Sequence, residues 1–219
     1  TRLRQSAGLE EGVLLLGASP SAISELLAPV LAEFLRGRPG LRCTLHDDIA
    51  ERLAGMVSDG RLDLAIAGRA QQSPDPRQRA ILRDPVGLAC PAGHGFAEAG
   101  EVALADIPAA DLIGLDPETG TQHLLAGCEA IPRAFLQTRL RAHSTVAQLC
   151  MIRAGLGLAL LPRNAVALFR DPGIVFVPVA GLDLWRTLHL LEPARRPLTE
   201  AARAFVEALE TTVPALTQP

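Results

Sequence analysis

The sequence predicts an α/β protein with two α/β halves, and three observations indicate this class. Short apolar runs alternate with amphipathic helical stretches over residues 12–67. The same alternation returns over residues 112–162, although the two stretches share no residue pattern. Hydrophobic residues make up 48% of the 219 residues and charged residues 21%, which is enough for a buried core in one large or two small domains.

The first half is predicted to run strand, helix, strand, helix, strand. Residues 13–17 form a short apolar run of the kind found in buried strands. Apolar residues then follow at spacings of 3, 1, 3, 1, 3 and 1, the stripe of an amphipathic helix, in which Pro29 should cause a bend or a break. A strand at 41–45, a helix from 49 to 60 and a strand at 62–67 complete the series. This order predicts a parallel sheet with right-handed crossovers.

The rest of the chain begins with a polar loop at 71–79 and an extended segment at 81–90 that residues 91–96 interrupt. The second alternating region has predicted strands at 112–115, 139–142 and 158–161, with helices ending at residues 125 and 153. Late strands are predicted at 175–179 and 188–191. A closing helix is predicted at 198–209, with Thr199 as its N-cap.

Charge and composition exclude several functions. The net charge is −3 and the basic residues are dispersed, so we do not expect this stretch to bind DNA by itself. All 21 basic residues are arginine, which excludes a Schiff-base lysine and a GxxxxGK phosphate loop. The sequence also contains no GxSxG, HExxH or SxxK motif. We therefore predict a protein that is not an enzyme and has no catalytic residues.

Metal, cofactor and membrane binding are not predicted. Cys43 and His46 form the one pair with metal-ligand spacing, and no second pair accompanies them. The four cysteines are dispersed and no secretory signal opens the chain, which is typical of reduced thiols in a cytoplasmic protein. No apolar run reaches the roughly 18 residues of a membrane span.

Four motifs, in order, resemble those of a known family. The first motif consists of residues 17–21 (GASPS) together with residues 60–66 (GRLDLAI). The second, at 93–97 (GHGFA), is similar to the family's HPLA segment, with Gly95 and Phe96 in place of Pro and Leu. The third and fourth are residues 153–162 (RAGLGLALLP) and 196–205 (RPLTEAARAF). Together they resemble the effector-binding domain of LysR-type transcriptional regulators over about residues 12–209.

This resemblance implies a particular fold and domain arrangement. The fold is two Rossmann-like α/β subdomains joined by two crossover strands, as in type 2 periplasmic binding proteins. Residues 1–11 are expected to be the end of a linker, 12–83 and 184–219 subdomain I, and 84–183 subdomain II. The family places a winged helix-turn-helix before this domain, so contact with DNA is expected only through such a domain, which this sequence lacks.

The resemblance also places a small-molecule effector in a cleft between the subdomains. Ser19, Pro20 and Ser21 start a helix after a strand, where free N–H groups can bind an anion such as a carboxylate. Ser19 fits the N-cap position and Pro20 the N1 position. A purely structural role for Ser19, as a helix cap that contributes about 1 kcal/mol, is the alternative.

Further effector contacts are predicted on other turns. Ser144 and Thr145 start the corresponding helix of subdomain II, and Gly68 would let an effector approach the backbone. Asp116 either faces the effector, which would favour a cationic or amino-acid-like ligand, or simply forms a turn before Pro117. His143 directly precedes Ser144 and could line the cleft, although a structural or surface role is the simpler interpretation.

The predicted function is effector sensing by the regulatory domain of a LysR-type regulator that forms homodimers or homotetramers. The alternative is a solute-binding module of a transporter, which would have the same fold. A two-domain transferase is a third possibility, and the missing lysine and missing catalytic residues argue against it.

Overall fold

The computed structural model describes residues 12–73, 75–167 and 170–216, so the predicted linker end at residues 1–11 lies outside it. The chain divides into two compact units. Unit 1 consists of Thr1–Arg83 and Thr187–Pro219, and unit 2 of Asp84–Arg186.

The strands and helices alternate along most of the chain, as predicted. In chain order they are β1 (Gly12–Ala18), α1 (Pro20–Ala22, continued by the π-helical Ile23–Leu27 and the α-helical Ala28–Arg36), β2 (Leu41–Asp47), α2 (Ala50–Ser58), β3 (Leu64–Ala67), β4 (Arg77–Pro91), α3 (Gly95–Ala99), β5 (Val102–Ala103), β6 (Ile113–Leu115), α4 (Gly120–Ala126), α5 (Arg133–Leu136), β7 (Leu140–Ala142), α6 (Thr145–Arg153), β8 (Ala159–Pro162), α7 (Arg163–Val166), β9 (Ile174–Val177), β10 (Val179–Ala180), β11 (Trp185–Glu192) and α8 (Glu200–Leu216). Short 3-10 helices cover Leu104–Asp106 and Ala109–Asp111.

The sheet of unit 1 has the strand order β2-β1-β3-β11. β1 is parallel to β2 and β3, and β11 is antiparallel to β3. Side chains of α1 and α8 share one core with one face of these strands, including an edge-to-face pair between Phe34 and Phe205. Side chains of α2 pack with the other face. Unit 1 is therefore a sheet with helices on both sides, the arrangement that a Rossmann-like half requires.

Pro29 changes the bonding of α1 without ending the helix. Five π-helical residues precede it, and the N–H of Ala28 donates to the carbonyl of Ile23, five residues back. A proline inside an α-helix removes one hydrogen bond and clashes with the carbonyl four residues earlier. The wider π-turn relieves this conflict, so the predicted break is a local change of helix type.

The strands of unit 2 form separate pairings. β4 pairs antiparallel with β8 and with β9. β6 and β7 form a two-stranded parallel sheet, and β5 and β10 form another. A parallel bridge between Leu112 and Leu158 links the segment before β6 to that before β8. Two apolar clusters fill the unit around these strands. β4 and β11 each run from one unit into the other, which confirms the two predicted crossover strands.

Three predicted boundaries were wrong. β4 begins at Arg77, inside the predicted loop 71–79, because the Gln78 side chain exchanges two 2.9 Å hydrogen bonds with the backbone of Ala70. The predicted strand 175–179 is two strands, because Pro178 between them has no N–H to donate. The closing helix continues beyond residue 209 to Leu216. No helix in the described part of the chain is long and apolar enough to cross a membrane.

Candidate functional site

The parallel strands of unit 1 end in one row. Ala18, the last residue of β1, pairs with Asp47 on one side and with Ile66 on the other. The N–H of Ser19 donates to the carbonyl of Ile66 over 2.9 Å, which carries the pairing one residue further. The carboxyl ends of parallel strands are where α/β proteins commonly bind ligands. The structure thus brings Ser19 and Gly68 to the same edge of one sheet.

Ser19 has the backbone of an N-cap but not the cap hydrogen bond. Its dihedral angles are extended, and Pro20 follows in the first turn, which confirms both predicted positions. Its side chain, however, accepts no hydrogen bond from the helix. The hydroxyl oxygen is buried and has no partner among the described residues. The hydrogen bond that gives a serine cap its stability is therefore not formed at Ser19. Ser21, the third predicted residue, is buried.

Gly68 borders open space. A Cβ atom placed on it would meet nothing within 4 Å. At Gly17, by contrast, an added Cβ would lie 2.6 Å from Leu62 Cδ1 and 2.7 Å from Leu53 Cδ2. The packing of Leu62 and Leu53 therefore requires a glycine at position 17. No neighbouring residue excludes a larger side chain at position 68.

Sequence reasoning missed two residues at this edge. Arg69 follows Gly68, is exposed, and has no acidic partner within the described ranges. It lines a cavity of about 590 Å³ in unit 1 whose other lining residues are Ala70, Gln71, Pro76 and Gln78. A cation directly after a strand end was a usable sequence signal, because anions are bound at such edges.

His189 is the second missed residue. It lies on β11 opposite Ala67 of β3, and its Nδ1 is buried with no hydrogen-bond partner among the residues that the structure describes. Burial lowers its pKa, a hydrogen bond to the Thr187 backbone raises it, and the nearby charge of Arg69 lowers it. The net effect disfavours the protonated imidazole. No local signal could have placed it here, because His189 and Ser19 are far apart in the sequence.

The turn predicted in unit 2 is a complete helix cap. The hydroxyl of Ser144 accepts a 3.2 Å hydrogen bond from the N–H of Ala147, and its carbonyl accepts one of 3.0 Å from Gln148. Thr145 is the first residue of α6. The predicted helix start is therefore confirmed, while its role in effector contact stays a prediction.

Asp116 forms a turn, which is one of the two roles predicted for it. Its Oδ1 accepts a hydrogen bond from the N–H of Glu118, and its carbonyl accepts from the N–H and hydroxyl of Thr119. Its Oδ2 lies 2.9 Å from Nδ1 of His143, whose side chain is 94% exposed. Asp116 thus has protein partners for both carboxylate oxygens, and contact with an effector is not needed to explain it.

A second buried polar site in unit 2 is small. Gln148 is 2% exposed; its Nε2 donates to the carbonyl of Ile113 over 2.7 Å, and its Oε1 has no partner in the described structure. The hollow that it lines measures about 10 Å³. That volume is enough for about one water molecule and too small for a metabolite.

The cysteines and histidines do not assemble into a metal site. Over residues 12–73, 75–167 and 170–216, no three potential ligand side chains gather. His46 instead lies 3.6 Å from Asp48. All four cysteines are free, and burial raises the pKa of Cys43 and of Cys90, which disfavours the thiolate that a metal requires.

Comparison with known proteins identifies the family. The family model for the LysR substrate binding domain matches residues 7–214, so the chain belongs to this family, the regulatory, effector-binding part of LysR-type regulators. A "Probable RuBisCO transcriptional regulator" of Nostoc sp. is 26% identical over 210 residues, which cover 92% of this chain and 62% of the relative. A "Phosphonates import ATP-binding protein PhnC" of Anaeromyxobacter dehalogenans is 33% identical over 215 residues, 93% of this chain and 41% of that one. The chain thus spans about three fifths of the length of the Nostoc regulator.

Solved structures agree on the fold. The reduced form of OxyR superposes with a TM-score of 0.77 at 24% identity, covering 96% of this chain and 100% of that one. The QuiR effector-binding domain in complex with shikimate gives 0.80 at 13% identity, with 95% and 100% covered. The Synechocystis CcmR regulatory domain in complex with 2-PG gives 0.78 at 18% identity, also with 95% and 100% covered. These likenesses confirm the predicted type 2 periplasmic-binding-protein fold.

Proposed function

We propose that this chain binds a small, carboxylate-bearing metabolite as the effector of a LysR-type transcriptional regulator. The observation that carries the proposal is the hydroxyl of Ser19, which is buried without a partner at the start of α1. Arg69, an exposed cation without an acidic partner among the described residues, follows a strand end on the same edge. A hydroxyl, helix N–H groups and a guanidinium together suit an anion.

Each predicted contact has a place in this proposal. Ser19, Pro20 and Ser21 supply the helix start, Gly68 leaves the backbone open, and Arg69 supplies charge. Ser144, Thr145 and Asp116 belong to unit 2, and their contact with the same effector stays a prediction. The structural relatives QuiR and CcmR, solved with shikimate and 2-PG, support a small polar ligand.

Substitution of Arg69 gives the sharpest test. Shikimate, 2-PG and a set of small carboxylates would be titrated by calorimetry into wild type, Arg69→Met and Ser19→Ala. Because hydrogen bonds to charged groups contribute about 1.5–3 kcal/mol, Arg69→Met should weaken binding by roughly 10- to 150-fold. Arg36→Met is the matched control, since Arg36 is exposed and pairs with Glu33. Equal affinity of Arg69→Met and wild type would overturn the site.

The contribution of unit 2 has its own test. Ser19→Ala combined with Thr145→Ala would be compared with wild type by thermal shift in the ligand that binds best. If the ligand stabilises both proteins equally, the predicted contacts are wrong. Because a ligand that binds only the folded state stabilises it more when its affinity is higher, the thermal shift should grow with affinity.

We also propose that the whole protein acts as a homodimer or homotetramer and contacts DNA through a helix-turn-helix domain. The name of the curated relative in Nostoc, a transcriptional regulator, supports this role. Light scattering at high protein concentration would test the assembly, and a strictly monomeric mass would contradict it. The alternative, a solute-binding module of a transporter, has support from the name of the PhnC relative, but the family and the regulator relatives favour sensing.

A further inference from the structure

Gln148 fills a gap in the backbone pairing of unit 2. The N–H of Ile113 in β6 donates to the carbonyl of Leu158 over 2.8 Å, so this side of β6 faces the segment that leads into β8. β8 itself pairs with β4. The carbonyl of Ile113 accepts instead a 2.7 Å hydrogen bond from Nε2 of Gln148, on α6. A side chain therefore takes the place of a neighbouring strand at this carbonyl.

This hydrogen bond fixes the orientation of the Gln148 amide. A carbonyl oxygen can only accept, so the amide nitrogen faces Ile113 and Oε1 faces away from it. Gln148 is 2% exposed, and its Oε1 is buried with no partner among the described residues. Buried polar atoms are nearly always paired in folded proteins, and leaving one unpaired is costly. Oε1 therefore needs a hydrogen-bond donor that the described side chains and backbone do not supply.

The hollow that Gln148 lines limits what this donor can be. Its volume is about 10 Å³, close to the space that one water molecule occupies. None of the described residues that line it is acidic, so a buried ammonium ion would have no counter-charge there, which is costly. A water molecule has the right size, carries no charge and can donate to Oε1.

Two further polar groups lie beside the hollow. Gln122, on α4, lines it, and a glutamine amide can both donate and accept. The hydroxyl oxygen of Thr138 is buried, also without a partner in the described part of the chain. It lies against Gly114, another lining residue, where a Cβ atom would otherwise be. Buried waters make about three hydrogen bonds each, so the hollow has the polar surroundings that such a water requires.

We propose that this hollow binds one water molecule, which donates to Oε1 of Gln148 and forms a second hydrogen bond with Gln122. Gln148 is in the first turn of α6, and Gln122 is in the first turn of α4. The water therefore joins the beginnings of the two helices that follow the turns at Ser144 and Asp116. It positions these turns relative to each other, independently of any effector bound at unit 1.

A high-resolution crystal structure tests the proposal directly, because a bound water gives an isolated peak of electron density. In wild type we expect one peak in the hollow, about 2.7–3.2 Å from Oε1 of Gln148. Gln148→Leu removes the acceptor and should lose the peak. Gln122→Leu removes the second contact and should lower its occupancy. Gln137 is an exposed glutamine of the same unit, and Gln137→Leu is the matched control that should keep the peak.

Each outcome decides one part of the proposal. A wild-type hollow without density overturns it, as does an Oε1 that bonds to a protein group instead. A peak that stays in place in Gln148→Leu shows that Oε1 does not hold the water, and unchanged occupancy in Gln122→Leu overturns the link between α4 and α6. If Gln148→Leu does not fold, Gln148→Met replaces it. In solution, the side-chain amide protons of Gln148 in wild type should show an NMR cross-peak to water, and its absence would contradict the proposal.

Discussion

Ser19 in unit 1 and Ser144 in unit 2 occupy the same position, the N-cap of a helix that follows a parallel strand. The hydroxyl of Ser144 accepts a hydrogen bond from its helix, whereas the hydroxyl of Ser19 accepts none from its helix and is buried without a partner in the described part of the chain. Both turns place a serine at a helix N-cap, but the two serine hydroxyls therefore differ in their hydrogen bonding. In unit 2 the serine caps its helix, and in unit 1 the serine hydroxyl is left without a hydrogen-bond partner among the described residues.

The same contrast holds for the charged groups of the two units. Asp84 and Arg186, in unit 2, form a buried ion pair of 2.6 Å with exposures of 1% and 9%, and Asp84 also accepts from the N–H of Asn164. Burial raises the pKa of Asp84 against the opposing effect of Arg186, and burial lowers the pKa of Arg186. Arg69, in unit 1, has no acidic partner among the described residues. Substitution of Arg186 in the buried ion pair should therefore affect stability more than substitution of Arg69.

The largest expected effect is the loss of stability on breaking the buried pair. Arg186→Met leaves the Asp84 carboxylate buried without its partner, so we expect a loss of about 3–5 kcal/mol in the free energy of unfolding. Arg36→Met, which breaks an exposed pair, should cost no more than about 0.5 kcal/mol. Urea denaturation would measure both. Similar losses in the free energy of unfolding for the two variants would contradict the distinction between buried and exposed ion pairs.

Two glycines of unit 1 give the next effect. Gly17→Ala forces a methyl group against Leu62 and Leu53 and should destabilise unit 1 by about 1–3 kcal/mol. Gly68→Ala meets no neighbour and should leave stability nearly unchanged, while it weakens binding of the effector. Chemical denaturation and calorimetry on both variants would check this. A Gly68→Ala variant that unfolds as easily as Gly17→Ala would show that the space beside Gly68 is structural.

The two serines provide the direct comparison. Ser144→Ala removes a cap bond and should lower stability by about 1 kcal/mol. Ser19→Ala removes an unpaired buried hydroxyl, so stability should stay the same or rise, while affinity for the effector falls. Thermal melts with and without ligand would show both effects. A stability loss in Ser19→Ala equal to that of Ser144→Ala would mean that Ser19 is a cap after all.

The smallest effect concerns pH. Burial lowers the pKa of His189, so the folded state binds a proton less readily than the unfolded chain. The stability that neutral His189 contributes is therefore fully present above its unfolded pKa of about 6.5 and is lost as the pH falls below that value. His189→Asn should show a shallower decline than wild type between about pH 6.5 and pH 5. Denaturation at several pH values would measure it, and parallel curves would contradict the shift.

Local patterns predicted most of the fold and part of the site. The 3.6-residue periodicity placed α1 and α2, and the start of α6 at Ser144 and Thr145 was correctly predicted, because these elements depend on residues close in sequence. Strand starts were less predictable. β4 begins early because Gln78 bonds to Ala70, an interaction between residues whose separation no local pattern indicates.

The site in unit 1 was predicted only where its residues follow a strand or start a helix. Gly68 and the helix start at Pro20 met that condition. His189 did not, because it reaches this edge through the antiparallel pairing of β11 with β3, from the far end of the chain. The pairing of Asp84 with Arg186, 102 residues apart, could not be inferred for the same reason.

The sequence by itself determined the alternation of strands and helices, the family motifs and the turns on which ligands can bind, since these depend on neighbouring residues and on hydrophobic periodicity. Only the tertiary structure decided which of two similar serines is a cap and which is left unpaired. That difference depends on which strands lie beside each turn, and strand pairing joins residues that are distant in the chain.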